Sequence, residues 1–196
     1  MRIVFEYWRP PVLGLAAVAF LAGVACAQPV PLAERIQTCS ACHGEDGNSR
    51  MENIPSLAGQ PEFFILNQLI LMRENVRQVE AMIPFVKDLK DEDINALASH
   101  FAKLAPKASG EPIDQAQVRR GAELAVERKC ASCHQPSFAG ADQIPRIAKQ
   151  RIDYLIKSLK EFRDTGRPGG DTLMSGAVVR LSDADLVALA HFSASK

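Results

Sequence analysis

Apolar residues recur at helical spacing in four segments of this chain, and no stretch alternates apolar and polar residues long enough to predict a strand. The four segments are residues 61–75, 91–104, 153–165 and 182–192. The segments at 91 and 182 begin with an aspartate or a serine, which suits the N-terminal cap of a helix. The pattern therefore predicts an all-α fold.

The helical segments belong to a unit that occurs twice. The matching stretches are 54–60 with 144–150, 64–69 with 154–159, and 89–94 with 181–186. The offset between the two members of each pair stays between 90 and 92. A constant offset over most of the chain indicates an internal duplication, and hence two similar tandem domains.

A linker separates the two units. Residues 105–117 contain two prolines, one glycine and otherwise mostly small or polar residues, which is typical of a connecting segment. We therefore predict an N-terminal domain over residues 28–104 and a C-terminal domain over residues 118–196. Units of this size have little apolar core of their own, so a bound apolar group is expected to complete each one.

Residues 1–27 have the pattern of an export signal, or signal peptide. Arg2 and Arg9 precede an apolar run over residues 12–25, which is short for a membrane span, and the run ends in small residues before Gln28. This pattern predicts cleavage before Gln28 and a periplasmic location. An uncleaved membrane anchor and lipidation of Cys26 are the alternatives.

Charge excludes one class of partner. The chain has 23 basic and 23 acidic residues, so there is no basic excess to neutralise the phosphates of a nucleic acid. The charge is nevertheless uneven: 7 basic and 11 acidic residues in 28–105 give −4, whereas 14 basic and 11 acidic residues in 106–196 give +3. This difference either orients the protein at charged partners or belongs to ordinary solvated surface.

The strongest chemical signal is a pentapeptide that occurs once in each unit. Cys39, Cys42 and His43 form one C-x-x-C-H motif, and Cys130, Cys133 and His134 form the other. This is the attachment pattern of a c-type haem. Two thiols three positions apart on a helical turn can reach the vinyl groups on one edge of a porphyrin, and the adjacent histidine then faces the iron. Two covalently bound haem c groups are therefore predicted.

Three other uses of paired cysteines fit less well. A zinc ribbon places its two pairs about 15 to 20 residues apart, whereas Cys42 and Cys130 are several times farther apart in the chain. A thioredoxin-like pair needs a βαβ context, of which the sequence shows no sign. Disulfides in an exported chain would not require a histidine after each second cysteine.

The second axial ligand of each iron is predicted to be a methionine. Met82 follows His43 at almost the same distance along the chain as Met174 follows His134. Both methionines stand seven positions before the leucine that opens the last helix of their unit. Met51 is too close to the attachment motif, and Met72 falls in a helical segment where core packing is expected.

His100 and His191, on the closing helices, are the rival axial ligands. A histidine there is more often a partly exposed surface residue or a partner of a haem propionate. Ligation by histidine and methionine raises the reduction potential relative to two histidines and leaves no open position on the iron. This favours electron transfer over substrate chemistry.

In combination, the motifs of both halves resemble the dihaem cytochromes c4, which consist of two class I cytochrome c domains. The motifs are C-x-x-C-H-G-x-x-G-N-S at 39–49, P-x-L-A-G-Q at 55–60, Q-L-x-x-x-R at 68–73, the two methionines, and L-S-D-x-D-L at 181–186. The resemblance implies an all-α fold in which each domain wraps around one haem and the haems face each other. It also implies that the Pro55 and Pro145 carbonyls hold the imidazoles of His43 and His134.

The resemblance further implies a non-enzymatic shuttle of single electrons between redox proteins, from a quinol-oxidising complex to a terminal oxidase. Peripheral association with the membrane is compatible with this role. The main alternative is an electron-accepting subunit of a periplasmic dehydrogenase, such as flavocytochrome c sulfide dehydrogenase. A dihaem peroxidase or thiosulfate dehydrogenase would need an open or unusually ligated iron, which the two methionines disfavour.

The second unit departs from the family pattern. No glycine follows His134, and Lys149 stands where the first unit has Gly59. The stretch between Arg73 and Met82 is also shorter than its counterpart in the second unit. We therefore expect the two haem environments to differ and their reduction potentials to be unequal.

Overall fold

The computed structural model describes residues 1–4, 6 and 30–196. The apolar run of the predicted export signal, Cys26 and the expected cleavage point before Gln28 lie outside the described residues. Within the described ranges the chain is helical, with no strand and a single isolated bridge between Ala141 and Ile144. None of the helices in these ranges has the length and apolar character needed to cross a membrane.

The N-terminal domain has four helices around one apolar core. They are α1 (Leu32–His43), α2 (Glu62–Arg73), α3 (Ile83–Val86) and α4 (Asp91–Ala102). The predicted segments 61–75 and 91–104 correspond to α2 and α4 to within two residues. Ile65 of α2 packs with Ile94, Leu97 and Phe101 of α4, and each of these side chains is at most 5% exposed.

The C-terminal domain repeats this arrangement with five helices. They are α5 (Gln115–Glu127), α6 (Ala131–His134), α7 (Ile152–Asp164), α8 (Thr172–Val178) and α9 (Asp183–Ala194). The predicted segments 153–165 and 182–192 match α7 and α9 to within two residues. Ser182 caps α9, since its Oγ accepts from the backbone N–H of Asp185 at 3.2 Å, while a carboxylate oxygen of Asp185 accepts from the Ser182 N–H at 3.2 Å.

Two helices lie outside the predicted segments and pack on the closing helices of their domains. α1 packs on α4, and α5 packs on α9. Gly121 brings α5 very close to α9, because a Cβ at this position would lie 2.1 Å from the carbonyl oxygen of Ala188. The segment before His134 differs from its counterpart, because α1 runs without a break to His43 whereas α5 ends at Glu127 and α6 starts at Ala131.

The domains meet through a reciprocal pair of glutamine contacts. The Gln60 side chain donates to the Arg146 carbonyl at 2.9 Å and accepts from the Arg146 N–H at 3.0 Å. The Gln150 side chain makes the same two bonds to the Ser56 backbone, at 2.9 and 2.8 Å. Positions 60 and 150, like 56 and 146, differ by 90, so the interface is related by an approximate twofold axis. Gln60 and Gln150 are 3% and 2% exposed.

Candidate haem sites

A buried histidine follows the second cysteine of each motif and is held by the loop that comes after it. Nδ1 of His43 lies 2.8 Å from the Pro55 carbonyl oxygen, and Nδ1 of His134 lies 3.0 Å from that of Pro145. Each histidine is 7% exposed. The structure therefore contains both of the histidine–proline bonds that the resemblance implied.

These hydrogen bonds determine which nitrogen is free. A carbonyl oxygen can only accept, so Nδ1 carries the proton and Nε2 of a neutral ring retains its lone pair. Burial lowers the pKa of His43 and of His134, with the bond to the proline carbonyl opposing the shift. Both rings are thus prepared to bind a metal through Nε2 with a fixed orientation.

Cys39 and Cys42 lie toward the C-terminal end of α1, and Cys130 and Cys133 lie at α6. Cys39, Cys42 and Cys130 are partly buried, Cys133 is exposed, and no disulfide joins any of the four. Burial raises the pKa of Cys39 and of Cys130. No three His, Cys, Asp or Glu side chains within the described part of the chain converge as a metal-ion site.

Met82 and Met174 occupy comparable but not identical places. Met82 directly precedes α3 and packs against the N-terminal core, whereas Met174 lies inside α8 and packs against the C-terminal core. Met72 also packs against the N-terminal core, as expected for its place in α2. Met51 is 47% exposed. The axial roles of Met82 and Met174 remain predictions.

The two rival histidines make different contacts. Nδ1 of His191 accepts from the backbone N–H of Asp114 at 3.2 Å, which ties α9 to the start of α5. The ring of His100 meets the ring of Phe101 edge to face at 5.0 Å. The hydrogen bond occupies Nδ1 of His191, whereas the contact with Phe101 involves the ring face or edge of His100 and not a ring nitrogen.

The structure adds functional candidates that the sequence patterns did not indicate. Arg146 is 3% exposed and directly follows Pro145, and its Nε has no hydrogen-bond partner among the residues that the structure describes. An orphaned, buried and positively charged donor next to a haem motif fits the anionic propionates of a haem. The only signal in the sequence is the change from Ser56 to Arg146 between the two units, and it does not reveal burial.

Both halves of the chain match known cytochrome families. Residues 118–195 match the cytochrome c family, and residues 33–100 match the family of subunit III of the cbb3-type cytochrome c oxidase. Together with a buried, oriented histidine after each cysteine pair, these matches define the class of protein. It is a c-type cytochrome with two domains, each built around one haem.

Comparison over the full length narrows the class to a family. The chain is 34% identical to cytochrome c4 of Pseudomonas aeruginosa over 92% of both chains. It resembles the crystal structure of reduced recombinant cytochrome c4 from Pseudomonas stutzeri with a TM-score of 0.75 and 30% identity, covering 82% of this chain and 94% of that one. It is also 28% identical to a thiosulfate dehydrogenase electron acceptor of Thiomonas intermedia, over 95% and 92% of the two chains. The chain belongs to the cytochrome c4 family.

Family membership confirms several expectations. The fold is all-α with two class I cytochrome c domains, and the chain carries two covalently bound haem c groups. It is an electron carrier that works with redox proteins, not an enzyme in its own right.

Proposed function

We propose that this chain carries single electrons in the periplasm and that each domain holds its haem iron between a histidine and a methionine. The observation that carries the proposal is the pair of buried histidines hydrogen-bonded to Pro55 and Pro145, which leaves a metal-binding nitrogen in each domain. The matched ranges 33–100 and 118–195 support domain limits of 28–104 and 118–196, with 105–117 as the linker.

Each domain supplies four side chains. In the N-terminal domain Cys39 and Cys42 would form the thioether bonds, and His43 and Met82 would be the iron ligands. In the C-terminal domain Cys130 and Cys133 would form the thioether bonds, and His134 and Met174 would be the iron ligands. Haem c supplies reversible one-electron chemistry.

The proposed histidine and methionine ligands are those of an electron carrier and not of an enzyme. A histidine and a methionine from each domain would together leave no position on the iron for a substrate. The Pro55 and Pro145 carbonyls hold the imidazoles of His43 and His134 in one orientation. The thioether ligand also favours the ferrous state, which gives a higher potential than two histidines would.

Replacing each methionine tests the ligand assignment. Met82→Leu and Met174→Leu should each remove about half of the weak near-infrared band that methionine-ligated ferric haem c shows, and lower the potential of one haem. Met72→Leu is the matched control, because Met72 packs in the same core as Met82. An undiminished band in Met82→Leu, or a lost band in Met72→Leu, would contradict the assignment for the first haem.

For partners, the favoured pair is a quinol-oxidising membrane complex as donor and a terminal oxidase as acceptor. The alternative is service as the electron acceptor of a periplasmic dehydrogenase, and the relative named as a thiosulfate dehydrogenase electron acceptor favours this class. Stopped-flow reduction of the purified protein by each candidate donor separates the two. Reduction that is fast with a quinol-oxidising complex and slow with a thiosulfate dehydrogenase supports the shuttle, and the reverse supports the acceptor role.

The periplasmic location depends on the export signal. Mass spectrometry of the protein purified from periplasm should show a chain that begins at Gln28 and carries two haems. A lipidated Cys26 at the N-terminus, or an intact segment 1–27 in the membrane fraction, would contradict the cleavage.

The uneven charge supports a steering role for the two domains. An acidic N-terminal domain and a basic C-terminal domain would face oppositely charged partners. The rates with donor and acceptor should then both fall clearly as the ionic strength rises, because each encounter joins opposite charges. Equal and weak responses would assign the charge to ordinary surface.

A further inference from the structure

Each of the two peptide groups that hold a histidine also contacts the opposite domain. The Pro55 carbonyl oxygen lies 2.8 Å from Nδ1 of His43, and the N–H of the same peptide group belongs to Ser56. That N–H donates to Oε1 of Gln150 at 2.8 Å. One peptide group therefore joins a histidine of the N-terminal domain to a glutamine of the C-terminal domain.

The C-terminal domain contains the reciprocal connection. The Pro145 carbonyl oxygen lies 3.0 Å from Nδ1 of His134. The N–H of the same peptide group, that of Arg146, donates to Oε1 of Gln60 at 3.0 Å. The two connections thus cross the interface in opposite directions, and each glutamine belongs to the loop of one histidine but contacts the peptide group that holds the other.

The backbone partners determine the orientation of both glutamine side chains. In each side chain the oxygen faces a backbone N–H, whereas the nitrogen donates to a backbone carbonyl. Nε2 of Gln150 donates to the Ser56 carbonyl at 2.9 Å, and Nε2 of Gln60 donates to the Arg146 carbonyl at 2.9 Å. Exchanging oxygen and nitrogen would place donor against donor and acceptor against acceptor. The side-chain oxygen is therefore the atom that contacts the peptide N–H.

Burial strengthens these connected hydrogen bonds. Ser56, Gln60, Arg146 and Gln150 are each at most 3% exposed. In an interior of low dielectric, hydrogen bonds in a chain polarise one another, and each gains roughly 10–30% in strength. An N–H that donates makes the carbonyl of its own peptide group a stronger acceptor. The glutamine oxygen therefore strengthens the hydrogen bond from the histidine to the proline carbonyl.

A stronger hydrogen bond at Nδ1 changes the properties of Nε2. As the Nδ1 proton is drawn toward the carbonyl, the imidazole becomes more anionic and Nε2 becomes a more basic ligand. A more basic ligand favours ferric iron and lowers the reduction potential of the haem. Because the glutamine belongs to the other domain, this effect crosses the interface.

We propose that each interface glutamine tunes the haem of the opposite domain, Gln150 through His43 and Gln60 through His134. The inference rests on the proposed function, because it requires both histidines to bind iron. The two glutamines are positioning residues that act through a peptide group and a histidine. Assembly of the interface thereby contributes to both reduction potentials.

Replacement of each glutamine by methionine, which has a similar size, gives a matched pair of variants. In Gln150→Met the Ser56 N–H loses its acceptor, so the hydrogen bond from His43 weakens. The oxidation equilibrium of the N-terminal haem should then shift about threefold toward ferrous, or about 28 mV at about 59 mV per tenfold change. The C-terminal haem should shift much less, and Gln60→Met should give the reverse pattern. Redox titration of the haem-loaded protein, followed through the haem methyl signals in NMR, measures the two haems separately.

The crossed pattern separates this proposal from a general loosening of the interface. A shift confined to the haem of the variant's own domain, or equal shifts of both haems in both variants, would overturn the proposal. Gln150→Glu tests the same contact without removing it, because a carboxylate oxygen of the same reach accepts from the Ser56 N–H more strongly. This variant should move the N-terminal haem toward ferric, opposite to Gln150→Met. An equal fall in both potentials would assign the effect to charge alone and contradict tuning through the peptide group.

Iron ligation by the two histidines is measured independently in the unmodified protein. In the ferric state the ring signals of an iron-bound histidine are displaced far from the diamagnetic range, and ¹⁵N-labelled histidine reveals them. The chain has four histidines, so His100 and His191 serve as internal references for His43 and His134. Displaced signals from His43 and His134 without the crossed shifts would refute the tuning alone. Undisplaced signals would refute the proposed ligands, and the tuning with them.

Discussion

The loops that follow the two attachment motifs share a backbone path but not their residues. The N-terminal loop has glycines at 44, 47 and 59, with φ of +90°, +71° and +64°. The equivalent residues Gln135, Phe138 and Lys149 have φ of +67°, +59° and +56°. The Gly47 carbonyl accepts from the N–H groups of Leu57 and Ala58, and the Phe138 carbonyl accepts from those of Ile147 and Ala148.

The comparison shows that glycine is not what defines this loop. The histidine–proline bond and the two loop hydrogen bonds recur in both domains, so the C-terminal domain maintains left-handed backbone at residues with side chains. A left-handed residue other than glycine costs about 1 kcal/mol or more. The C-terminal loop therefore retains strain that the N-terminal loop avoids.

The largest effect should come from a side chain at position 44. A Cβ on Gly44 would lie 2.4 Å from the backbone oxygen of Asn48, in addition to the strain of φ +90°. We expect Gly44→Ala to lower the free energy of unfolding by about 2–4 kcal/mol, measured by guanidinium titration of the haem-loaded protein. Gln135→Ala is the control and should cost less than about 0.5 kcal/mol, since that position already holds a side chain. Equal losses in both variants would mean that the loops are not distinguished by steric room.

The two interface glutamines should contribute unequally to the free energy of unfolding, and the difference should be smaller than the effect at position 44. The Gln60 side chain satisfies two backbone groups of Arg146. The Gln150 side chain satisfies both backbone groups of Ser56 and also accepts from the N–H of Arg151 at 3.0 Å. We expect Gln150→Ala to cost about 2–3 kcal/mol and Gln60→Ala about 1–2 kcal/mol, because buried backbone groups lose their partners.

A double variant tests whether both glutamines stabilise one interface. If the domains separate once either glutamine is lost, Gln60→Ala with Gln150→Ala should cost less than the two single changes added together. Additive costs would mean that each contact acts on its own. Costs near zero for both single variants would show that the interface is held elsewhere.

Sequence patterns predicted the parts of this molecule that depend on neighbours in the chain. Helices α2, α4, α7 and α9 were predicted from their apolar spacing, and α4 and α9 also from their acidic or hydroxyl starts. The C-x-x-C-H motifs predicted the two histidines. Helices α1 and α5 were not predicted, although Val118, Ala122 and Ala125 of α5 lie at helical spacing. Their packing partners, α4 and α9, lie far along the chain. The need for glycine at position 121 follows only from the fold, which places the Ala188 backbone against it.

The contacts between the two domains could not be predicted from the sequence for the same reason. Gln60 and Gln150 are visible as motif residues, but their partners lie 86 and 94 residues away. Burial of Arg146 depends on Ala58 of the other domain, 88 residues distant. A single sequence contains no signal for contacts of this kind, because neither periodicity nor spacing connects the two sides.

Glycine in place of a strained residue should stabilise the C-terminal loop. Lys149 has φ +56°, so we expect Lys149→Gly to raise the free energy of unfolding by about 0.5–1 kcal/mol. Lys149→Gln removes the same charge but keeps the strain, and should leave stability unchanged. The reciprocal change Gly59→Ala should destabilise, because its Cβ would lie 2.9 Å from Cδ of Pro106. A stabilisation of equal size in Lys149→Gln would trace the effect to charge.

The smallest expected difference between the two loops is in stability at acid pH. The Asp46 carboxylate accepts from Nζ of Lys107 at 2.7 Å and from the Asn48 N–H at 3.1 Å, so the loop is joined to the linker. The hydrogen bond from Lys107, followed by that from Asn48, lowers the pKa of Asp46 to about 2. The equivalent position in the C-terminal domain is Ser137, which has no such charge.

The sign of the pH dependence follows from this lowered pKa. Below the ordinary aspartate pKa, Asp46 is protonated in the unfolded chain but still ionised in the folded protein. Its contribution to the free energy of unfolding is therefore complete above about pH 4 and is lost as the pH falls toward 2. Asp46→Asn should therefore reduce the drop in thermal midpoint between pH 6 and pH 3, by a small amount because the side chain is half exposed. Glu45→Gln removes the adjacent exposed carboxylate and should leave that drop unchanged. If both variants reduce the drop equally, the effect comes from overall charge and the Asp46–Lys107 contact does not distinguish the two loops.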